Sequence, residues 1–192
     1  LVEGSDASGL DLGFLFAGYV VDGLNPRVQV LEAGAFAEAD TNVNPDGSSE
    51  PLFVRPPLAA RLRLTDAGGR QAEFTAVNVK IADGYDASSL TPGGAGWATT
   101  GDRVMARRAR QAARVAAWIE ARQQADANEA IALLGGFEAD PFNDGRVDVM
   151  GILTGRPAPA AETWLAMPSP LTTPLDTLTE LAPAHTRYNA ND

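Results

Sequence analysis

The sequence contains no cysteine and only one histidine, His185, among its 192 residues. These absences exclude disulfides, thiol catalysis, zinc–thiolate and iron–sulfur sites, and any metal site built from several histidines. Apolar runs do not exceed about ten residues, whereas a membrane-spanning helix needs roughly 18, so we expect no membrane insertion. Any metal chemistry carried out by this chain must therefore rest on carboxylates.

Basic residues are also scarce, because 15 Lys and Arg stand against 25 Asp and Glu and give a net charge of -10. Fourteen of the 15 are arginines, and Lys80 is the only lysine. This overall charge argues against nucleic acid as a partner, and leaves room only for a local basic patch. The acidic balance favours an extracellular, periplasmic or cell-surface location. The length suits one domain with its own core.

Several segments show the apolar patterns of strands. Residues 10–21 (LDLGFLFAGYVV) predict a buried strand that ends in a turn, and residues 27–32 predict the next strand. Residues 58–65 and 72–81 flank an Asp-Ala-Gly-Gly-Arg turn, which is typical of an antiparallel hairpin. The continuous apolar run at 130–137 predicts a central strand buried on both faces.

One long helix is predicted at residues 102–124, with Thr100 or Asp102 as its N-cap. Apolar side chains recur at helical spacing and predict its buried stripe, which comprises Met105, Ala109, Ala112, Ala116 and Ile119. A second stripe is basic and comprises Arg103, Arg107, Arg110 and Arg114. The basic stripe has two interpretations, a solvated face or a face that binds phosphate or another polyanion.

The other segments carry turn residues or broken patterns. Residues 41–51 (TNVNPDGSSEP) and 83–100 predict loops, and residues 146–153 suit either a short helix or a short strand. Prolines interrupt the sequence from residue 157, so residues 157–192 predict a Pro-rich excursion or tail. The chain begins without an initiator Met or a signal-like segment, so we expect a piece of a larger protein.

The segment LLGGFEADPFNDGRVDVMGILTG at residues 133–155 resembles a known arrangement, a Gly-Asp-Phe-Asn-Ala element followed by Pro-Phe-Ser-Asp-Gly. That arrangement belongs to secreted bacterial nucleases of the deoxyribonuclease I-like endonuclease/exonuclease/phosphatase superfamily. Further segments resemble the family in the same order, namely VRPPL at 54–58, FTAVNVKIAD at 74–83, ARRARQAARVAAWI at 106–119 and residues 181–188. The resemblance covers nearly all of the chain.

The resemblance implies a fold of the α/β (α+β) class, a four-layer α-β-β-α sandwich. It implies that residues 1–192 form a single domain corresponding to the middle and later part of the family fold, incomplete at the N-terminus. The early strands that bring Asn and Glu to the family's metal would precede Leu1, and its terminal Asp-His pair would follow Asp192. A sheet edge left open in this way would be covered by a protein segment or another subunit.

The same resemblance implies that the catalytic residues are substituted. Members of the family hydrolyse phosphate esters with a divalent metal, a His, an Asp and an Asn. The family's His falls on Lys80, its Asp on Gly136 and its Asn on Glu138. Arg55 and Asn78 match the family pattern, and His185 lies outside the terminal motif. Because loss of one member of such a site costs factors of about a hundred or more, we expect no ordinary family catalysis.

We therefore expect a non-catalytic, degenerate member of the superfamily that needs no cofactor and serves as a binding or architectural module of a larger secreted or surface protein. In this hypothesis Lys80 takes the place of the missing cation and pairs with one of three nearby carboxylates, Glu138, Asp140 or Asp83. The alternative is a metal-dependent nuclease or phosphodiesterase. It would hold Mg²⁺ or Ca²⁺ through substitute carboxylates, the candidates being Glu138, Asp140 and Asp144, with Arg55 on the phosphate. Polyanion binding by the basic stripe is a third hypothesis.

Overall fold

The computed structural model describes residues 11–82, 84–139 and 147–155 and shows a mixed α/β fold. In chain order the elements are β1 (Val28–Ala35), β2 (Thr41–Val43), β3 (Ser49–Pro51), β4 (Leu58–Thr65), β5 (Gln71–Lys80), a 3-10 helix (Tyr85–Ser88), α1 (Thr100–Ala125), β6 (Ile131–Gly136) and α2 (Val149–Leu153). The predicted tail at 157–192 lies outside the described residues.

The main sheet has four strands in the order β1-β4-β5-β6. The first two pairs are antiparallel, and β5 and β6 are parallel. The predicted β4–β5 hairpin is confirmed, and Asp66 closes its turn by accepting the N–H groups of Gly68 and Arg70. Parallel neighbours need a long crossover, and α1 supplies it between β5 and β6.

The larger core lies between α1 and one face of the sheet. Val115, Ala116 and Ile119 of α1 pack there with Val77 and Val79 of β5, and all five are fully buried. Ala106 is buried in the first half of α1, whereas the predicted core residue Met105 is only half-buried. The opposite face of the sheet carries a smaller cluster, formed by Ala60, Leu62 and Ala76 with Phe14, Val28 and Phe74 against it.

The prediction of a buried strand at residues 10–21 is wrong for its described part, residues 11–21. Leu15 is fully exposed, and Val20 forms only an isolated bridge with Pro26. The segment turns at Asp22, whose Oδ1 accepts the N–H of Asn25 at 2.6 Å. Hydrogen bonds from the side chain and backbone of Asn25 lower the pKa of Asp22 to about 2. The turn predicted at the end of this segment is therefore confirmed, and the Asp22 carboxylate supplies its hydrogen bonds.

The prediction that the strand at 130–137 is buried on both faces is wrong, because Leu134 of β6 is 42% exposed. Among the described strands, β6 lies at the end of the sheet order. The apolar run arises because Ile131 and Leu133 pack into the core on the α1 face. One buried face is enough to explain this composition.

The interpretation of residues 41–51 as a loop is wrong as well, since β2 and β3 pair there as a small antiparallel hairpin. Asn42 and Asn44 are buried in it although they are polar. Their side chains find hydrogen-bond partners inside the fold, because Asn42 Nδ2 donates to Glu50 and Trp97 Nε1 donates to Asn44 Oδ1. Buried amides with satisfied hydrogen bonds remove the need for an apolar pattern.

The segment predicted at 146–153 as helix or strand contains a helix, α2, and Asp148 caps it by accepting the N–H of Gly151 at 2.6 Å. The predicted loop at 83–100 holds the short 3-10 helix. The predicted long helix is confirmed as α1 with slightly wider bounds. Within the described ranges, neither helix combines the length and apolar character that crossing a membrane requires.

The N-cap of α1 is Thr99, and neither Thr100 nor Asp102 as predicted. The Thr99 hydroxyl accepts the Asp102 N–H at 3.0 Å, and the Asp102 carboxylate accepts the Thr99 N–H at 3.1 Å. This reciprocal pair satisfies two backbone N–H groups that would otherwise lack partners.

We expect Thr99→Ala to lower the free energy of unfolding by about 1 kcal/mol, because the first turn of α1 loses its cap. Urea unfolding followed by circular dichroism measures the change. Ser49→Ala is the matched control, since Ser49 is exposed and its hydroxyl makes no hydrogen bond in the described part of the chain. Equal stability of Thr99→Ala and the control would contradict the role of the cap.

Candidate functional site

Lys80, Gly136 and Glu138, which the sequence analysis singled out, lie together at one edge of the sheet, where β5 and β6 end side by side. The register pairs Asn78 with Leu134 and Lys80 with Gly136. Glu138 follows two residues after β6. Lys80 Nζ donates to Glu138 Oε1 at 2.5 Å, so the expected ion pair is confirmed. Both side chains are partly exposed, at 25% and 35%, so solvent screens the pair and its contribution to stability is modest.

Gly136 leaves room that the lysine side chain uses. A Cβ placed on Gly136 would lie 3.1 Å from Lys80 Cδ and 3.6 Å from Lys80 Nζ. A side chain at position 136 would therefore require the lysine stem to shift by a few tenths of an ångström. In this arrangement Lys80 packs directly beside the position that lacks a side chain.

Asn78 and Arg55, which the sequence analysis also singled out, lie on segments that reach this edge of the sheet. Asn78 Nδ2 donates to the carbonyl oxygen of Gly13 at 3.0 Å, which ties the N-terminal segment to the sheet. Arg55 is half-buried and precedes Leu58, which pairs with Asn78 in the register. Arg55 therefore lies in the segment that leads into β4 at the same edge of the sheet.

Four residues named from the sequence, Asp83, Asp140, Asp144 and His185, lie outside the described residues. Within 11–82, 84–139 and 147–155, no three Asp, Glu or His side chains group closely enough to hold a metal ion. Of the three candidate carboxylates in the alternative metal site, Glu138, Asp140 and Asp144, only Glu138 is described, and it accepts a hydrogen bond from Lys80.

Arg108 is an important residue at this edge that the sequence interpretation missed. It is 5% exposed, and its guanidinium donates to the carbonyl oxygens of Ala82 and Glu138, the residues that follow β5 and β6. Gln111, one turn further along α1, accepts the Ala82 N–H and donates to the Leu52 carbonyl, both at 2.8 Å. A signal was present, because position 108 lies four residues before the buried Ala112 and therefore on the apolar face of α1.

An open cavity of about 340 Å³ adjoins the same edge. Its lining includes Tyr85, Met105, Arg108, Glu138 and Val147. Small-molecule sites start at about 300 Å³ and often lie outside the carboxyl ends of parallel strands. The cavity is small, has both polar and apolar lining residues, and lies next to the ion pair between Lys80 and Glu138.

The end of β6 requires an unusual backbone. Gly135 has φ +128°, and a Cβ placed there would lie 1.9 Å from the carbonyl oxygen of Val79. Glu138 adopts φ +50°, a conformation that non-glycine residues rarely take. The backbone of β5 approaches so closely that only glycine fits at position 135.

We expect Gly135→Ala to destabilise the fold by several kcal/mol, because the new methyl group collides with backbone and not with a flexible side chain. Gly34→Ala in β1 is the control, since nothing lies within 4 Å of its added Cβ. Thermal unfolding of both variants is the measurement. Similar melting temperatures for the two would show that the approach of β5 to position 135 is not as close as described.

The basic stripe of α1 binds the β2–β3 hairpin and the residues beside it. Arg103 forms an ion pair with Glu50, and Arg114 pairs with Asp40 at 2.5 Å. The other two arginines use backbone and amide oxygens: Arg107 donates to the carbonyls of Pro51 (2.9 Å) and Leu52 (3.1 Å), and Arg110 donates to Asn42 Oδ1 and the carbonyl of Val43.

Electrostatics at this contact reflect partial burial. Burial raises the pKa of Glu50, but hydrogen bonds from Arg103 and Asn42 outweigh it, and the net pKa is lowered. Burial lowers the pKa of Arg107. The interpretation of the stripe as a solvated face is therefore wrong, and its guanidinium groups already have partners within the chain.

We expect Arg107→Ala to lower the free energy of unfolding by about 1–3 kcal/mol, because two carbonyl oxygens lose a charged donor and the half-buried stem leaves a gap. Arg70→Ala is the matched control. Its side chain is 89% exposed and pairs only with Asp66 at the hairpin turn, so a change within about 0.5 kcal/mol is expected. Urea unfolding measures the free energy of unfolding of both variants. Equal small changes for Arg107→Ala and Arg70→Ala would support the interpretation of the stripe as a solvated face.

Comparison with known proteins adds no relative, since no protein family, curated protein or solved structure matches the chain.

Proposed function

We propose that the chain is a non-catalytic, degenerate domain of the endonuclease/exonuclease/phosphatase type, and that its fold is the four-layer α-β-β-α sandwich. It acts as a binding or architectural module of a larger secreted or surface protein. The observation that carries this proposal is the ion pair between Lys80 and Glu138 beside Gly136.

The chemistry of that pair supports the proposal. Phosphate-ester hydrolysis by a divalent metal needs oxygen ligands open to the metal and a group that orients or activates water. At this edge the ammonium of Lys80 neutralises Glu138, and its aliphatic stem fills the space beside Gly136. The adjoining cavity of about 340 Å³ is where a binding module of this kind would take a ligand.

Hydrolysis assays on the purified chain test the proposal. DNA, RNA and a chromogenic phosphodiester are incubated with Mg²⁺, Mn²⁺ or Ca²⁺, with and without EDTA. We expect no EDTA-sensitive hydrolysis above the rate without protein, and no heat of Mg²⁺ binding in titration calorimetry.

Two variants separate a true activity from a contaminant. Glu138→Ala removes the described carboxylate of the site, and Glu38→Ala removes an exposed carboxylate in the loop after β1. EDTA-sensitive hydrolysis that Glu138→Ala abolishes and Glu38→Ala leaves intact would overturn the proposal and establish the metal-dependent phosphodiesterase. Activity that both variants retain equally is assigned by gel filtration: activity that elutes apart from the chain belongs to a contaminant, and activity that co-elutes with the chain would also overturn the proposal.

A further inference from the structure

Two cavities lie between the later turns of α1 and the sheet. Their volumes are about 360 and 170 Å³, and three residues line both of them, Arg61, Trp118 and Arg122. Arg61 is in register with Thr75 of β5, which is in register with Ile131 at the start of β6. The ion pair described above lies at the opposite end of β6. The larger cavity exceeds the roughly 300 Å³ at which small-molecule sites begin.

The three side chains that line both cavities can donate hydrogen bonds but cannot accept them. Arg61 uses only its Nη2, which donates to Glu73 at 2.8 Å. Arg122 uses its Nε and Nη2, and both donate to Glu129. The indole Nε1 of Trp118 has no hydrogen-bond partner in the described part of the chain. The shared wall therefore has unused donors, which suit an acceptor such as a carboxylate.

Carboxylates flank the shared wall on both sides. Asp126 and Glu129 line the larger cavity, and Glu32 lines the smaller one. Three carboxylates against two guanidinium groups leave one net negative charge in the lining, so an anion alone would be repelled. A cation alone would meet the guanidinium groups. A ligand that carries both a carboxylate and an ammonium group matches both kinds of partner.

Asp126 is the carboxylate best placed for the ammonium group. Glu129 already accepts from Thr75 Oγ1 at 2.5 Å and from Arg122. Asp126 is exposed, and within the described residues its side chain accepts only the N–H of Asn128, through Oδ1 at 3.0 Å. It is also the C-cap of α1, where the helix dipole and the last carbonyl oxygens favour a positive charge.

We propose that the larger cavity binds a free α-amino acid. The three shared side chains donate to its carboxylate, and its ammonium group donates to Asp126. Ala121 and Ala125 of α1 complete the wall, so we expect an apolar ligand side chain to lie against them. The site shares no residue with the ion pair at the end of β6, and it does not depend on the proposed function.

Isothermal titration calorimetry of the full chain with L-alanine, L-leucine and L-phenylalanine tests the site. At least one of the three should bind saturably, with one molecule per chain. Acetate and methylammonium should each bind at least about tenfold more weakly, because each leaves one charged partner in the cavity unmatched. The proposal is overturned if none of the three amino acids binds, or if acetate binds as tightly as the best of them.

Variants assign the contacts. Arg61→Ala should weaken amino-acid binding at least about tenfold, and Trp118→Phe, which keeps an aromatic ring, about three- to tenfold. Asp126→Asn should weaken amino-acid binding but leave acetate binding unchanged or stronger. Arg63→Ala is the matched control for Arg61→Ala, because Arg63 also donates to Glu73 and lines neither cavity.

Urea unfolding checks that each variant is folded. Equal affinities of Arg61→Ala and Arg63→Ala for the amino acid would contradict the assignment of the carboxylate site. The comparison with acetate uses the unmodified chain, so it decides the question even if a variant does not fold.

Discussion

One buried guanidinium holds the end of the sheet together. Arg108 lies on the apolar face of α1 and donates to the carbonyl oxygens that follow β5 and β6. A buried charge is costly without partners, so the two strand ends and the helix must keep this arrangement together. The ion pair and the adjoining cavity lie around these two bonds, because Glu138 supplies one of the two carbonyl oxygens and Arg108 lines the cavity.

The same helix uses its two remaining faces for different purposes. Val115, Ala116 and Ile119 bury against the sheet, and the basic stripe binds a hairpin whose asparagines are buried. Because hydrogen bonds to charged donors are stronger than neutral ones, this second contact holds a polar segment in place without an apolar core. The arginines that the sequence pattern placed on a solvent-exposed face thus bind the hairpin and the residues beside it.

Local patterns predicted the parts of the fold that local physics decides. The β4–β5 hairpin followed from its turn residues and alternation, and α1 from its periodicity. The proximity of Lys80 and Glu138 came from the family resemblance. The β2–β3 hairpin escaped prediction because its buried asparagines depend on partners more than 50 residues away, Arg110 for Asn42 and Trp97 for Asn44. The strand predicted over residues 10–21 was wrong for its described part, because an apolar pattern does not show whether a neighbouring strand is available for pairing. The role of Arg108 was not predicted, because a charged residue on an apolar helix face indicates that a buried partner exists but not which residue it is.

The fit between Lys80 and Gly136 has a consequence for substitution at the end of β6. A side chain added at position 136 would bring its Cβ to 3.1 Å from the lysine stem, so the lysine would have to shift by a few tenths of an ångström. An aspartate there would also place a second carboxylate near the ammonium that donates to Glu138. The two positions are therefore energetically coupled, and the effect of any side chain at 136 depends on which residue stands at 80.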